Sequence, residues 1–270
     1  MKPTLMKIIL KNLYWFFSSQ IGLDPLKLFS SLRGVPIFLK DWWNFRKKNT
    51  DYLVWKPCLY DRYEEGGITK NEYFWQDLLV ARWIYAAAPE KHVDVGSRVD
   101  GFITHVASFR EIEVFDVRPI TSKIPGIIFR QADMMKELFL PENTKEEGYC
   151  DSLSCLHTIE HFGLGRYGDS IDTQGYIKGL ENLSKLLLPN GFLYLSTPIG
   201  KERVEFNANR VFDPRTIMSV ASKVKLELIK LTIFNIKEGI QELTSDEATL
   251  SYLAKQHYNL GIFTFKKQEK

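Results

Sequence analysis

Three side chains able to move a proton stand close together in the segment CDSLSCLHTIEHF: His157, Glu160 and His161. An imidazole takes up or releases a proton near neutral pH, and a neighbouring carboxylate can orient it and fix where its proton sits. The apolar run Cys150 to Cys155 places all three at or just beyond the end of a strand. Either histidine is then a candidate base, with Glu160 orienting it. The competing expectation is two satisfied polar groups at a strand-to-loop junction.

A second group of residues is suited to holding a ligand. KHVDVGSRVDG, residues Lys91 to Gly101, reads as a buried strand, His92 to Val95, that turns at Gly96 into a helix beginning near Gly101. Unpaired backbone N–H groups at a helix start carry partial positive charge, and glycine allows close approach by an anionic ligand. Asp94 lies inside the apolar strand, where an unpaired carboxylate is costly, so it is expected to accept hydrogen bonds that shape the turn. The next strand ends at Asp116 in EVFDVRP, twenty residues beyond Gly96. An acid there can accept two hydrogen bonds from a ribose diol. Asp133, in RQADMM, is placed either to accept from an adenine amine or to cap a following helix.

One position narrows the cofactor. A pyrophosphate needs the backbone to come close at the second glycine of G-x-G-x-x-G, and GSRVDG has Arg98 there. S-adenosylmethionine has no pyrophosphate and needs only the first glycine turn and the ribose acid. Arg98 is then available to the cofactor's carboxylate or to an anionic substrate. The candidate cofactor contacts are Asp94, Gly96, Ser97, Arg98, Gly101, Asp116, Val117, Asp133 and Met134. No metal site is expected, because Cys58, Cys150 and Cys155 have no ligand spacing. Their placement fits ordinary thiols in a reducing cytoplasm.

The elements needed to position these residues are visible as alternating runs. Strands are expected at His92–Val95, Glu113–Phe115, Ile127–Phe129, Cys150–Cys155 and Phe192–Ser196, with helices at 101–109, 134–140 and 173–188. Such alternation predicts a doubly wound, mostly parallel sheet with helices on both faces. A further helix at 213–222 and two late strands, 224–234 and 258–265, predict an antiparallel C-terminal edge, for seven strands in all. The acidic stretch 238–254 between them reads as an exposed insert. The helix predicted at 71–88 feeds the first strand, and Tyr73, Gln76 and Asp77 on it would form a lid over the cofactor.

Residues 1–70 read as a separate extension. Nine Lys or Arg and two Asp fall in the first 48 residues, an excess of seven positive charges, while the whole chain carries +3 and the remainder is therefore acidic by four. The 270-residue chain, 44% hydrophobic, is long enough for a full core as one large domain, 71–270. Leu5–Phe17 is shorter than the roughly 20 residues that span a bilayer, and Lys7 and Lys11 interrupt it. Lys7, Lys11 and Tyr14 share one helical stripe against an apolar remainder, which suits a helix lying in a headgroup interface. A helical cap on the main domain and a contact with a partner chain are the other readings. The basic residues cluster there and not around the proposed pocket, so nucleic acid is not expected as a partner.

The order HVDVGS, EVFDVRP, RQADMM, CDSLSCLHTIEHF and LLPNGFLYLSTP resembles the successive motifs of class I S-adenosylmethionine-dependent methyltransferases, over about residues 92–198. More narrowly, PCLYDRY, YFWQDL, HVDVGSRVDGF and SFREIEVFDVRP resemble an uncharacterised bacterial methyltransferase-like family often met with surface-polysaccharide genes. The resemblance implies a Rossmann-like fold, with Gly96 and Ser97 against the methionine moiety, Asp116 on ribose, Asp133 by adenine and His157–His161 lining the transfer site. It implies methyl transfer to a sugar hydroxyl of a glycan or its precursor, in the cytoplasm or at the inner membrane face, alone or in a glycan-assembly complex contacted through residues 1–48. A non-catalytic methyltransferase-like scaffold and an NAD-dependent sugar-modifying enzyme are the rival expectations.

Overall fold

A computed structural model describes residues 5–67, 69–137 and 147–269, and the chain divides into two compact units, Met1–Ile68 and Thr69–Lys270. In the first unit, α1 (Leu5–Trp15) runs into a wider helical turn, Phe16–Ile21, that ends at Gly22. Next comes α2 (Pro25–Arg46), whose start is set by Asp24: its carboxylate accepts from the N–H groups of Leu26 and Lys27, and Pro25 needs no such partner. One face of α2 is packed by the return segment of the same unit. Gly34 is buried there because a Cβ would lie 2.0 Å from the Leu59 carbonyl oxygen. Trp55 meets Phe38 and Trp42 edge-on at 5.0 and 5.3 Å. Among the described residues no helix is long and apolar enough to cross a membrane.

The second unit opens with α3 (Glu72–Ala87), capped by the Asn71 side chain and ended by Ala88 in a left-handed conformation before Pro89. Then follow β1 (His92–Val95), a distorted turn at Val99–Ile103, α4 (Thr104–Ala107), β2 (Ile112–Asp116), β3 (Ile127–Gln131) and β4 (Cys150–Leu156). After these come α5 (Gly175–Leu186), β5 (Leu187–Ile199), the hairpin β6 (Arg203–Glu205) and β7 (Asn209–Val211), α6 (Pro214–Lys223), β8 (Leu226–Asn235), β9 (Gly239–Leu243), α7 (Glu247–Leu253) and β10 (Asn259–Lys267).

The main sheet has the order β3-β2-β1-β4-β5-β10-β8-β9. Its first five strands are parallel, and β10, β8 and β9 complete it antiparallel. The architecture is the mostly parallel, Rossmann-like α/β sheet with an antiparallel C-terminal edge that the alternating runs predict. It has eight strands where seven were expected. The eighth, β9, lies with α7 inside the stretch read as an exposed acidic insert. Leu250 and Leu253 of α7 are buried, and Leu243 of β9 packs against the core they join. Their acidic neighbours hid a short amphipathic pattern.

Both faces of the sheet are covered around its centre, so β1 and β2 are buried along their whole length and β4 and β5 along most of theirs. Leu180, Leu183, Ile217, Ala221, Leu250 and Leu253 pack against Val93, Leu153, Leu195 and Phe263 on one side. Val80, Ile84, Phe102 and Val106 meet Val114, Leu156, Tyr194 and Ile262 on the other. The helix expected at 101–109 is much shorter. Gly101 has a non-helical backbone (φ −130°, ψ −108°), and regular helix is confined to α4. The helix expected at 134–140 is a turn over Met134–Lys136 followed by an irregular residue 137, and residues 138–140 lie outside the described residues.

Candidate functional site

Strand order reverses between β1 and β4, since β2 follows β1 on one side and β4 lies on the other. The loops leaving the C-terminal ends of these two strands must therefore diverge, and a crevice opens between them. A cleft of about 930 Å³, counting the solvent space at its mouth, lies at that point. Gly96, Ser97, Arg98, Asp116, Val117, Asp133, Met134, His157 and His161 all line it, with Tyr73, Gln76 and Asp77 from α3. Asp94, Gly101 and Glu160 do not.

The glycine turn is held from below by the buried Asp94 carboxylate. It accepts from the Ser97 N–H (3.0 Å), the Ser97 hydroxyl (2.7 Å) and the Ser154 hydroxyl. Burial pushes this carboxyl up to about 7. Asp94 thus shapes the turn and makes no cofactor-facing surface. Ser97 closes the arrangement by accepting from Leu156 N–H at 3.2 Å, tying the turn to β4. Gly96 has φ +73°, and a Cβ there would lie 2.3 Å from Cγ2 of Thr158. The position thus requires glycine for its backbone angle and for space. Gly101 packs against α3, where an added Cβ would come 2.7 Å from Oδ2 of Asp77, so it belongs to the support and not to the cleft wall.

Asp116, buried at the end of β2, is engaged by Arg118. The Arg118 N–H and Nε donate to Oδ1 at 2.8 and 3.1 Å, and Nη2 donates to Oδ2 at 2.7 Å. The same guanidinium lies 4.5 Å from the centre of the Tyr167 ring. Asp133 accepts from the Met135 N–H at 2.9 Å, the geometry of a capped turn, while its edge still faces the cleft. Arg98, placed by the sequence in the anion seat, pairs instead with Asp100 (3.0 and 2.7 Å) and is largely exposed.

The proton-handling group is tightly built. His157 has φ +49°, and its N–H donates to the Ser196 carbonyl and hydroxyl of the adjacent strand. That hydroxyl in turn donates to the Gln76 side-chain carbonyl. The His157 ring lies 4.6 Å from that of Tyr73, and its Nδ1 stands 2.8 Å from Oε1 of the buried Glu160. A carboxylate on Nδ1 fixes the proton there and leaves Nε2 as the basic nitrogen. Burial disfavours the charged ring, but the Glu160 hydrogen bond and the Glu160, Glu72 and Asp77 charges outweigh it, so the His157 pKa is raised. Nε2 is buried without a hydrogen-bond partner, and Oε1 of Glu72 is 3.6 Å away. His161 donates from Nδ1 to the Ala208 carbonyl (2.7 Å), which exposes the same basic nitrogen, but burial lowers its pKa.

Cleft residues that escaped the sequence reading include Arg118, Arg166 and Tyr167. The last two are carried by the loop after His161, where the Asp169 carboxylate accepts from the N–H groups of Gly163, Gly165 and Tyr167. GLGRYGDS, with glycines at φ near +70° to +85° and an acid to collect their amides, was the available signal.

Residues 130–248 match DUF268, a family described as a Caenorhabditis protein of unknown function; this is less than half of the chain. A comparison with curated proteins returned no match. Among solved structures, the YcgJ protein of Bacillus subtilis is 12% identical and superposes with a TM-score of 0.50, over 72% of this chain and 99% of that one. The N-methyltransferase NodS of Bradyrhizobium japonicum, in complex with S-adenosyl-l-homocysteine, is 13% identical (TM-score 0.48), over 75% and 91% of the two chains. The 1,6-didemethyltoxoflavin-N1-methyltransferase of Burkholderia thailandensis is 11% identical (TM-score 0.48), over 92% of each. At these identities the likeness is one of fold.

Proposed function

We propose that the chain is an S-adenosylmethionine-dependent methyltransferase acting on a hydroxyl, with a sugar of a surface glycan or its precursor as acceptor. The observation that carries this reading is His157 Nε2, a basic nitrogen buried without a hydrogen-bond partner on the wall of a switch-point cleft. An unsatisfied buried polar atom costs stability, and because His157 lines the cleft, an acceptor hydroxyl there can supply the missing partner. The surroundings fit the cofactor. Gly96 keeps the turn free of a side chain, Asp116 stands at the ribose position, and Asp133 and Met134 line the wall where adenine would lie.

When bound, the cofactor would supply an electrophilic methyl group. The chain's own part is alignment, exclusion of water and removal of the acceptor proton. Tyr73 and the α3 turn cover His157 on one side, and Glu160 holds its proton on Nδ1. Nε2 is then the atom that accepts the hydroxyl proton. His161 has the same tautomer and is the alternative base. The sugar acceptor and a cytoplasmic setting rest on the family resemblance and on the free, buried Cys150 and Cys155 thiols.

One observation favours a second reading, a binding module without catalysis: Arg118 already occupies both oxygens of Asp116. Isothermal titration of the full chain with S-adenosylhomocysteine and with NAD separates these. Micromolar binding of S-adenosylhomocysteine alone, weakened at least about tenfold in Asp116→Ala by loss of charge-assisted hydrogen bonds, is the expected result. Heat with neither ligand would overturn the methyltransferase reading.

A further inference from the structure

The first unit carries an apolar surface that its own fold leaves uncovered. On α2, Phe29, Leu32, Pro36, Leu39 and Trp43 follow one another at alternating spacings of three and four, which places them on one helical stripe. The stripe lies opposite Gly34, so the return segment that packs the other face cannot reach it. Phe29 is 62% exposed, Leu32 63% and Trp43 56%. On α1, Met6, Ile9, Leu10 and Leu13 form a second exposed apolar arc, flanked by Lys7 and Lys11. Contiguous apolar surface of this extent marks a binding face.

Charge identifies the occupant. Arg33, Lys40 and Lys47 recur every seven residues along one edge of the α2 stripe and are exposed. The segment up to Lys48 contains two acids, and both are already engaged. Asp24 caps α2 and accepts from the Tyr14 hydroxyl, and Asp41 pairs with Arg62 at 2.6 Å. Among the described residues no carboxylate pairs with Arg33, Lys40 or Lys47. A second copy docked on this stripe would bring like-charged rows together, and Pro36 interrupts the seam that two helices would share. An anionic bilayer meets both needs, with acyl chains for the stripe and headgroups for the basic row. Trp43, with Lys47 5.4 Å from its ring centre, and Tyr14 suit the boundary between the two.

We infer that α1 and α2 form a peripheral membrane anchor that lies on an anionic lipid surface without crossing it. This holds whatever the cleft of the second unit does. Co-sedimentation of the full chain is measured with phosphatidylcholine vesicles and with vesicles that also contain phosphatidylglycerol. Binding is expected on the second kind and should fall as salt is raised. The triple change Arg33→Ala, Lys40→Ala, Lys47→Ala should weaken it by about a hundredfold, at roughly fivefold per basic residue. Circular dichroism controls for the fold of the variant, and the salt titration of the unaltered chain needs no variant. Equal partition into both vesicle kinds, or into neither, overturns the anchor. So does a dimer in sedimentation velocity that Leu32→Ser dissociates while vesicles remain unbound, because the stripe would then belong to a second copy.

Discussion

At the residue scale the central pair is His157 and Glu160. The folded-state pKa of His157 is raised, so charging the ring stabilises the protein. That contribution is fully present below the unfolded value of about 6.5 and is lost as pH rises through the folded value. Glu160 is the principal favourable cause, through its hydrogen bond and its charge. Glu160→Gln keeps the shape and removes the charge, leaving burial, with less help from Glu72 and Asp77, to set the midpoint. The His157 ring, followed by NMR through its carbon-bound protons, should then titrate at lower pH than in the unaltered chain. An unchanged midpoint would show that Glu160 does not set the proton affinity of this ring. In a turnover assay the same substitution should move the rising, acid-side limb toward lower pH, since the basic form of the ring appears at its pKa.

The decisive element is the strand–turn–strand unit formed by β1, the Gly96 turn and the end of β4. Its stiffness comes from Asp94, Ser97 and Ser154 below the turn and from Thr158 against Gly96. Gly96→Ala adds two separable penalties. A left-handed backbone costs an L-residue about 1–2 kcal/mol, and forcing a Cβ into Thr158 costs about 1–3 kcal/mol more. Urea denaturation should show both losses in Gly96→Ala, and S-adenosylhomocysteine binding should disappear with them. Adding Thr158→Ala should restore only the packing part. Full recovery in the double variant would mean that the turn has no need of a positive φ.

Viewed as a whole, the molecule separates its two proposed tasks. Every described residue that lines the cleft belongs to the unit Thr69–Lys270, whereas the excess positive charge and the apolar stripe belong to Met1–Ile68. Lys48 and Arg62 are exposed in the segment that follows α2, a suitable place for tryptic cleavage. Limited trypsinolysis should therefore release a C-terminal fragment that is still stabilised by S-adenosylhomocysteine in thermal unfolding. A fragment without that stabilisation, from a chain that has it, would place part of the binding energy before Thr69.

The doubly wound sheet was legible because β-strands buried on both faces read as mostly apolar runs, and helices between them repeat every three to four residues. Gly96, Asp116 and the His157 cluster were legible for a related reason: a parallel sheet exposes the ends of its strands where order reverses, so position in sequence predicts position in the cleft. What depended on partners distant in sequence was not legible. Asp94 was expected to shape the turn and does, though its partner Ser154 across the strand pair was not legible; Gly101 looked like a cleft residue and is a support, because Asp77 lies beside it on α3. Arg118 and Tyr167 meet in the cleft across about fifty residues of sequence, through a contact between guanidinium and ring. β9 and α7 acquired their structure from a core that their acidic local sequence does not announce. Sequence periodicity determined the elements and the order of their ends. Tertiary structure alone decided which side chains at those ends face each other, since hydrogen-bond and packing partners are chosen by proximity in space.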